Sequence, residues 1–257
     1  MKYLIGHTGL VGSNLMSQTK FDDTFNSSNI KTFKNQDRSD SDLYLSCLPA
    51  AKWIVNQNIE SDLNNINNII EELKDFSYNN IYLMSTIDTY CDSPMRSSES
   101  SDQTFIQDSY GSNRKLFEDL VSQKLNCNNL KIFRLAALFG KGLKKNIIYD
   151  LMNGNQIDKV NLYSYFQWYD LKDLYSDIKS LSQLFKNQKI LNLFPEPLST
   201  YEIVKNLFPN YLNIVDSDPS NIKVYDFHSD LFESSYIYDK NESLSKIKSF
   251  INETSNK

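Results

Sequence analysis

Three glycines, Gly6, Gly9 and Gly12, stand between the apolar run Tyr3-Leu4-Ile5 and a stretch of helical character from Leu10 to about Gln18. An unbroken apolar run of this kind reads as a buried strand, and the spacing after the glycines reads as a helix. Strand, glycine turn and helix in that order open a doubly wound parallel sheet. Glycine permits the tight turn and lets the main chain and the helix N-terminus approach a pyrophosphate. Gly6, Thr8, Gly9, Leu10, Val11 and Gly12 are therefore the expected seat of a dinucleotide, with a plain glycine-rich turn as the alternative. His7 lies inside the turn, where its main chain is expected to matter more than its imidazole.

The parallel-sheet rhythm continues down the chain. Strands are expected at Asp23 to Asn26, near Ile30 to Phe33, and at Asp42 to Cys47, the last ending at Pro49. About fifteen residues separate the first of these from the last, too few for a full strand-helix-strand crossover, so this unit is pared down. Ile59, Leu63, Ile66, Ile69, Ile70 and Leu73 fall at helical spacing, and Ile81 to Met84 then forms a buried strand ending in Ser85-Thr86. A loop with Pro94 and serines leads to a helix from Ser109 to Lys124, followed by a strand from Leu130 to Leu135.

Beyond Gly142 the alternation loosens. Helices are expected near Ile147 to Met152, Leu174 to Phe185 and Thr200 to Phe208, with strands at Tyr163 to Tyr169 and Ile190 to Phe194. Strand and helix between Val224 and Ile251 would cap a lobe. The expected fold is a Rossmann-type doubly wound α/β sheet over residues 1–142. A small C-terminal α/β lobe over residues 143–257 is partly interleaved with it.

Composition narrows the classes of function. The chain has 257 residues, 40% of them hydrophobic and 13% aromatic, ample for one large core with a modest lobe. Apolar runs recur along the chain and the last of them ends before Asn252, so disorder is expected only from Asn252 to Lys257. A net charge of −5 with no basic block speaks against nucleic acid, while backbone donors can still hold a phosphate-bearing small ligand. Cys47, Cys91 and Cys127 show no CxxC spacing, and His7 and His228 are the only histidines. No metal site is expected, His228 is read as structural, and a reducing cytoplasm suits the cysteines. Lys2 opens directly into an expected strand, so no signal peptide is expected, and no apolar stretch approaches the ~18 residues of a membrane span.

An acidic residue about twenty positions past the first glycine would accept hydrogen bonds from the adenosine ribose and favour NAD. Asn26 and Ser27 stand there instead. Neutral donors tolerate a 2′-phosphate, and Lys31 follows as a cation to meet it, which tips the expectation slightly toward NADP. No arginine is present to clamp that phosphate, and Asn26 and Ser27 also fit a simple turn of the chain.

A second constellation joins Ser85-Thr86, at a strand end, to Tyr110-Gly111-Ser112-Asn113-Arg114, which opens a helix. With the glycine turn, these residues resemble the extended short-chain dehydrogenase/reductase family, which modifies nucleotide-linked sugars. Asp62-Leu63-Asn64-Asn65-Ile66, Phe133-Arg134-Leu135 through Leu138-Phe139-Gly140, and Leu191-Asn192-Leu193 through Tyr201-Glu202-Ile203 extend the resemblance to about residue 205. It implies Tyr110 as general acid/base and Thr86 as the hydroxyl that holds the substrate oxygen. It also implies cofactor contacts from Cys47, Leu48, Pro49, Asn65, Ser85, Tyr110, Arg114 and Leu138, and a homodimer through helices on one side of the sheet.

The family has a lysine four residues after its tyrosine; here that place holds Arg114, and the lysine comes one residue late. At 100° per residue, a four-residue step stays within about 40° of the same face, while a five-residue step points roughly 140° away. Arg114 inherits the position, and Lys115 is expected to face solvent. A positive charge about 4 Å from the phenol is worth at most ~4 kcal/mol at an effective dielectric near 20. That would lower a phenol from near 10 by up to ~3 before desolvation acts against it.

Thr86, Ile87, Ala136 and Ala137 are expected to line a pocket for substrate. Lys141, Lys144, Lys145 and Asn146 sit where a diphosphate or plain solvent would meet them, and Gln167, Trp168 and Tyr169 are candidate walls or simple core. The expected activity is NAD(P)-dependent reduction or epimerisation at a keto or hydroxyl carbon of a nucleotide-activated sugar. A sensor or scaffold protein that binds the cofactor without turnover is the alternative, favoured by the arginine and by the shortened second unit.

Overall fold

The computed structural model describes residues 1–35, 38–90, 97–101, 109–215 and 218–255. Two compact units emerge, and the chain passes between them more than once. The first comprises Met1–Ser93, Ser101–Leu135 and Lys172–Asn192; the second comprises Pro94–Ser100, Ala136–Leu171 and Leu193–Lys257.

In the first unit, β1 (Lys2–Ile5) leads through α1 (Leu10–Gln18) to β2 (Asp23–Phe25), and β3 (Ser41–Leu45) follows. α2 (Lys52–Gln57) and α3 (Ile59–Leu73) precede β4 (Ser77–Thr86), and α4 (Ser109–Lys124) precedes β5 (Asn126–Leu135). Strands β1 to β5 pair in parallel. The six-stranded sheet runs in the order β2, β1, β3, β4, β5 and a last strand at Ile190–Leu193. From β1 the chain goes outward to β2 and then returns past β1 to β3. The reversal of winding therefore falls between β1 and β3, and a crevice at such a reversal is where α/β sheets bind ligands.

The strand expected near Ile30 is instead a 3-10 helix, Ile30–Asn35. With so few residues between β2 and β3 there is no length for an outer strand and its return. Ile30 and Phe33 are buried among the apolar side chains of the sheet instead, and the three-residue β2 is the sheet edge. The core of this unit is built from Tyr3, Ile5, Leu43, Leu45, Ile81 and Leu83 of the strands, covered by Ile66, Ile70, Phe117 and Val121 of the helices.

The second unit holds β6 (Ala137–Phe139), α5 (Ile147–Asn153), β7 (Tyr165–Phe166) and β8 (Trp168–Asp170). The chain then returns to the first unit for α6 (Leu174–Leu184) and β9 (Ile190–Leu193). β10 (Leu198–Ser199), α7 (Thr200–Leu207) and α8 (Lys240–Ser255) complete the second unit. β6 pairs with β8, and β7 with β10. The single aromatic strand expected at Tyr163 to Tyr169 is thus two short strands, each with a different partner. In the tail, Val224 makes an isolated bridge to Tyr165 and α8 forms the expected helix. No helix among the described residues is long and apolar enough to cross a membrane.

Candidate active site

The glycine turn closes through tight backbone packing. Gly6 adopts a φ of +96°, and its N–H donates to the Phe25 carbonyl at 2.7 Å. A Cβ at Gly6 would lie 2.3 Å from the Ser46 carbonyl oxygen, and one at Gly12 would lie 2.2 Å from the Gly6 carbonyl oxygen. Those two glycines let the turn press on β3 and α1 press on the turn. Gly9 differs, because a Cβ there would meet nothing closer than the Gly6 carbonyl oxygen at 3.6 Å.

Internal packing therefore does not require glycine at position 9, whereas a ligand that approaches the helix backbone does. α1 starts at this bare residue with no side-chain cap and no acidic residue in its first turn, so its terminal N–H groups are left for an anion. Thr8 and Gly9 are exposed, and Leu10 and Val11 half-buried. Backbone of this kind fits a dinucleotide diphosphate.

At the end of β2 the Asn26 side-chain oxygen accepts from the Ser28 amide at 2.9 Å and its hydroxyl at 2.6 Å, while the Asn26 amide donates to Asn29 Oδ1 at 2.7 Å. The turn is locked by its own side chains, with Ser27 and Lys31 exposed beside it. His7 Nδ1 lies 3.1 Å from the Phe25 carbonyl oxygen. Past β3, Cys47 and Leu48 are half-buried and Pro49 exposed, and burial pushes the Cys47 thiol up to about 12.

Helix α4 buries Tyr110, Asn113, Arg114, Phe117, Glu118 and Val121, the stripe that a 3.6-residue repeat sends to one side. Asn56 Oδ1 accepts from the Tyr110 amide at 2.8 Å, so a residue of α2 satisfies an N–H at the start of α4. Arg114 carries its guanidinium 4.4 Å from the centre of the Tyr110 ring. Its Nη1 donates to Asp62 Oδ2 at 2.8 Å, and its Nη2 donates to Asp62 Oδ1 at 3.3 Å and to the Pro49 carbonyl at 2.7 Å. Asn113 also donates to Asp62, at 2.8 Å. Lys115, expected in solvent, lies on the flank of the helix and bonds Asp119 one turn on.

This alters the electrostatics expected of the site. Burial raises the Tyr110 phenol above its usual value; Arg114 and Lys52 pull it down and Asp88 pushes it up. Burial wins, since desolvation of the phenolate outweighs the pull of both cations, and the Arg114 charge is itself paired with Asp62. The depression expected from Arg114 alone is thus corrected to a phenol that holds its proton.

Thr86 ends β4, and its hydroxyl donates to Asp88 Oδ2 at 3.1 Å while accepting from the Asp88 amide at 3.2 Å. The other Asp88 oxygen accepts from Lys52 Nζ at 2.9 Å. Ser85 turns its hydroxyl to Glu118 Oε1 at 2.5 Å, where Glu118 also receives Arg134 in a fully buried ion pair. Ile87 is buried beside them.

Sequence reasoning singled out Tyr110, Arg114, Thr86 and Ser85 but missed Asp62, Asp88 and Lys52. Asn65, expected to support the site, is half-buried one turn from Asp62, and Asp62 is the residue that reaches Arg114. The detectable signal was an acid at the head of the buried stripe that continues through Ile66, Ile69, Ile70 and Leu73.

The remaining expected residues belong to the second unit. Ala136 is buried and Ala137 half-buried, with Leu138 between them and Phe139 on β6. Asn146 caps α5 by accepting from the Tyr149 amide at 3.0 Å and donates to the Leu138 carbonyl at 2.9 Å. Lys144 and Lys145 are exposed. Gln167 donates to the Pro195 and Phe227 carbonyls, both at 2.8 Å, and accepts from the Phe227 amide at 2.9 Å. Those three bonds employ both ends of its amide inside the unit, and Trp168 and Tyr169 are core. His228 pairs with Tyr236 at 3.0 Å.

No family model and no curated protein matches the chain. Solved structures do. A dTDP-4-dehydrorhamnose reductase from Bacillus anthracis, in complex with NADP, is 15% identical with a TM-score of 0.74, covering 98% of this chain and 97% of that one. A UDP-N-acetylglucosamine 4-epimerase from Methanobrevibacter ruminantium is 12% identical with a TM-score of 0.72, covering 99% and 98%. TunA, an NAD-dependent NDP-hexosamine 5,6-dehydratase, is 10% identical with a TM-score of 0.74, covering 100% and 98%. These neighbours are sugar-nucleotide epimerases, dehydratases and reductases of the extended short-chain dehydrogenase/reductase type, and this chain has their fold from end to end.

Proposed function

We propose that the protein is an NAD(P)-dependent oxidoreductase or epimerase acting at a keto or hydroxyl carbon of a nucleotide-activated sugar. The first unit holds the cofactor on the Gly6 to Gly12 turn, the ends of β2 and β3, and Ser85. The second unit supplies the substrate lobe. A bound nicotinamide dinucleotide provides the hydride chemistry.

The observation that carries this reading is the buried Tyr110 phenol stacked on Arg114, with burial holding its proton in place. A phenol in that state is poised as a general acid, giving a proton to a substrate oxygen as a carbonyl is reduced. Thr86 orients the same oxygen. With its hydrogen directed at Asp88, its free lone pair accepts from a substrate hydroxyl; toward a carbonyl oxygen the hydroxyl turns that hydrogen from Asp88 to the substrate. Arg114 steadies the phenolate that remains, and Asp62 fixes the guanidinium where the family resemblance expects an ammonium.

One observation favours a second reading. The bidentate bond to Asp62 and the bond to Pro49 occupy much of the Arg114 fork, as suits a protein that binds cofactor and turns over weakly or not at all. Cofactor binding and turnover of a panel of nucleotide sugars, measured for the wild type and Tyr110→Phe, separate the two. The enzyme reading expects turnover that falls by roughly 10²–10⁴-fold in the variant while cofactor binding persists. Intact binding with no turnover by either protein across the panel sinks it.

A further inference from the structure

We propose that the His7 imidazole reads the 2′ position of the cofactor's adenosine ribose, and that its protonation decides between a 2′-phosphate and a free 2′-hydroxyl. This inference rests on the dinucleotide reading of the glycine turn.

In such folds the 2′ position is read at the end of the second strand, about twenty residues past the first glycine. The usual acidic reader is absent from this chain, and Asn26, which stands in its place, spends its side-chain oxygen on Ser28. His7 meets the end of the same strand. Its Nδ1 bonds the carbonyl of Phe25, the residue immediately before Asn26. A carbonyl only accepts, so Nδ1 carries the hydrogen, and the tautomer of the neutral ring is fixed. Nε2, which makes no bond among the described residues, is the nitrogen left for a ligand.

That nitrogen has two distinct chemistries. In the neutral ring Nε2 accepts, and a ribose 2′-hydroxyl can donate to it. In the protonated ring Nε2 donates, and a 2′-phosphate receives a charge-assisted bond. Histidine is the side chain that changes charge between pH 5 and 8, so one residue serves both cofactors in different pH ranges.

The titratable groups of the surrounding elements do not pre-empt this choice. Asp23 of β2 is tied to Arg38 at 3.3 Å; Cys47 after β3 is held neutral by burial; Lys31 is exposed in the 3-10 helix after the turn. His7 forms no ion pair among the described residues.

The test is equilibrium binding of NADP⁺ and NAD⁺ by calorimetry from pH 5.5 to 8.5, for the wild type and His7→Gln. Proton uptake is read from buffers of different ionisation enthalpy. The wild type is expected to lose about tenfold of its preference for NADP⁺ as pH rises through that range. NADP⁺ binding should take up protons near pH 7.5, while NAD⁺ binding does not. In His7→Gln only the titration of the phosphate itself remains. Should that variant misfold, the wild-type proton uptake decides alone.

Binding of both cofactors with the same pH dependence in wild type and variant, or with no proton uptake on NADP⁺, overturns the proposal and leaves the dinucleotide reading standing. So does binding of NAD⁺ alone at every pH. Binding of neither cofactor overturns both.

Discussion

Asp62 shows how one side chain alters the meaning of another. Sequence places a cation four residues after Tyr110, and Coulomb's law then predicts an acidified phenol; burial outweighs that pull, and a carboxylate 2.8 Å from the cation offsets its charge. Replacing Asp62 with Asn should therefore move the Tyr110 phenol downward, since Arg114 would act on it without a counter-charge. The same change breaks a buried pair, at a cost of about 3 kcal/mol. NMR titration of ring-labelled tyrosine and urea unfolding would read the two effects separately. The glycines offer a second prediction at this scale. Gly12→Ala should destabilise the ligand-free protein, because its Cβ would lie 2.2 Å from a carbonyl oxygen. Gly9→Ala should leave unfolding nearly unchanged and weaken cofactor binding. Equal loss of stability in both variants would contradict the cradle.

The elements were largely legible, and the exceptions share a cause. α3 and α4 follow their periodicity, and β1 and β3 their apolar runs. Half of β4 and β5 did not register, because Ser77-Tyr78-Asn79-Asn80 and Asn126-Cys127-Asn128-Asn129 are rich in residues disfavoured in strands. They pair side by side across the sheet, where Asn126 donates to the Ser77 hydroxyl at 2.8 Å and the ladder overrides propensity. The site followed the same division. Tyr110, Thr86 and Arg114 sit at motif positions and could be nominated from sequence, whereas Asp62 and Lys52 reach Arg114 and Asp88 from distant parts of the chain.

At the start of α7 the Ser199 hydroxyl accepts from the Glu202 amide while the Glu202 carboxylate accepts from the Ser199 amide, and Lys240 adds a bond to that carboxylate at 3.0 Å. Burial alone would raise the Glu202 carboxyl, but the bonds from Ser199 and Lys240 outweigh it and hold it below its ordinary 4.5. A carboxyl lowered in the folded state contributes stability that is present above the unfolded value and disappears as pH falls through the folded one. Acid unfolding should accordingly be shallower in Glu202→Gln than in the wild type below about pH 4.5. Parallel acid limbs for the two proteins would argue against it.

Across the whole molecule, chain order and spatial order diverge. The first unit is left at Leu135 and regained only at Lys172. The return is anchored by Lys131, a buried side chain whose ammonium donates to the carbonyls of Phe185 and Lys186 at 2.7 and 2.8 Å and to that of Gln188. β9 then takes its place beside β5. A ribosome making this protein thus extrudes the ten residues of β5 well before the strand that shields their outer edge. Until residue 190 has emerged, the nascent sheet presents a bare ladder of N–H and C=O groups, an invitation to pair with a neighbouring chain. Chaperone demand during synthesis should peak in that interval, not at the end of translation.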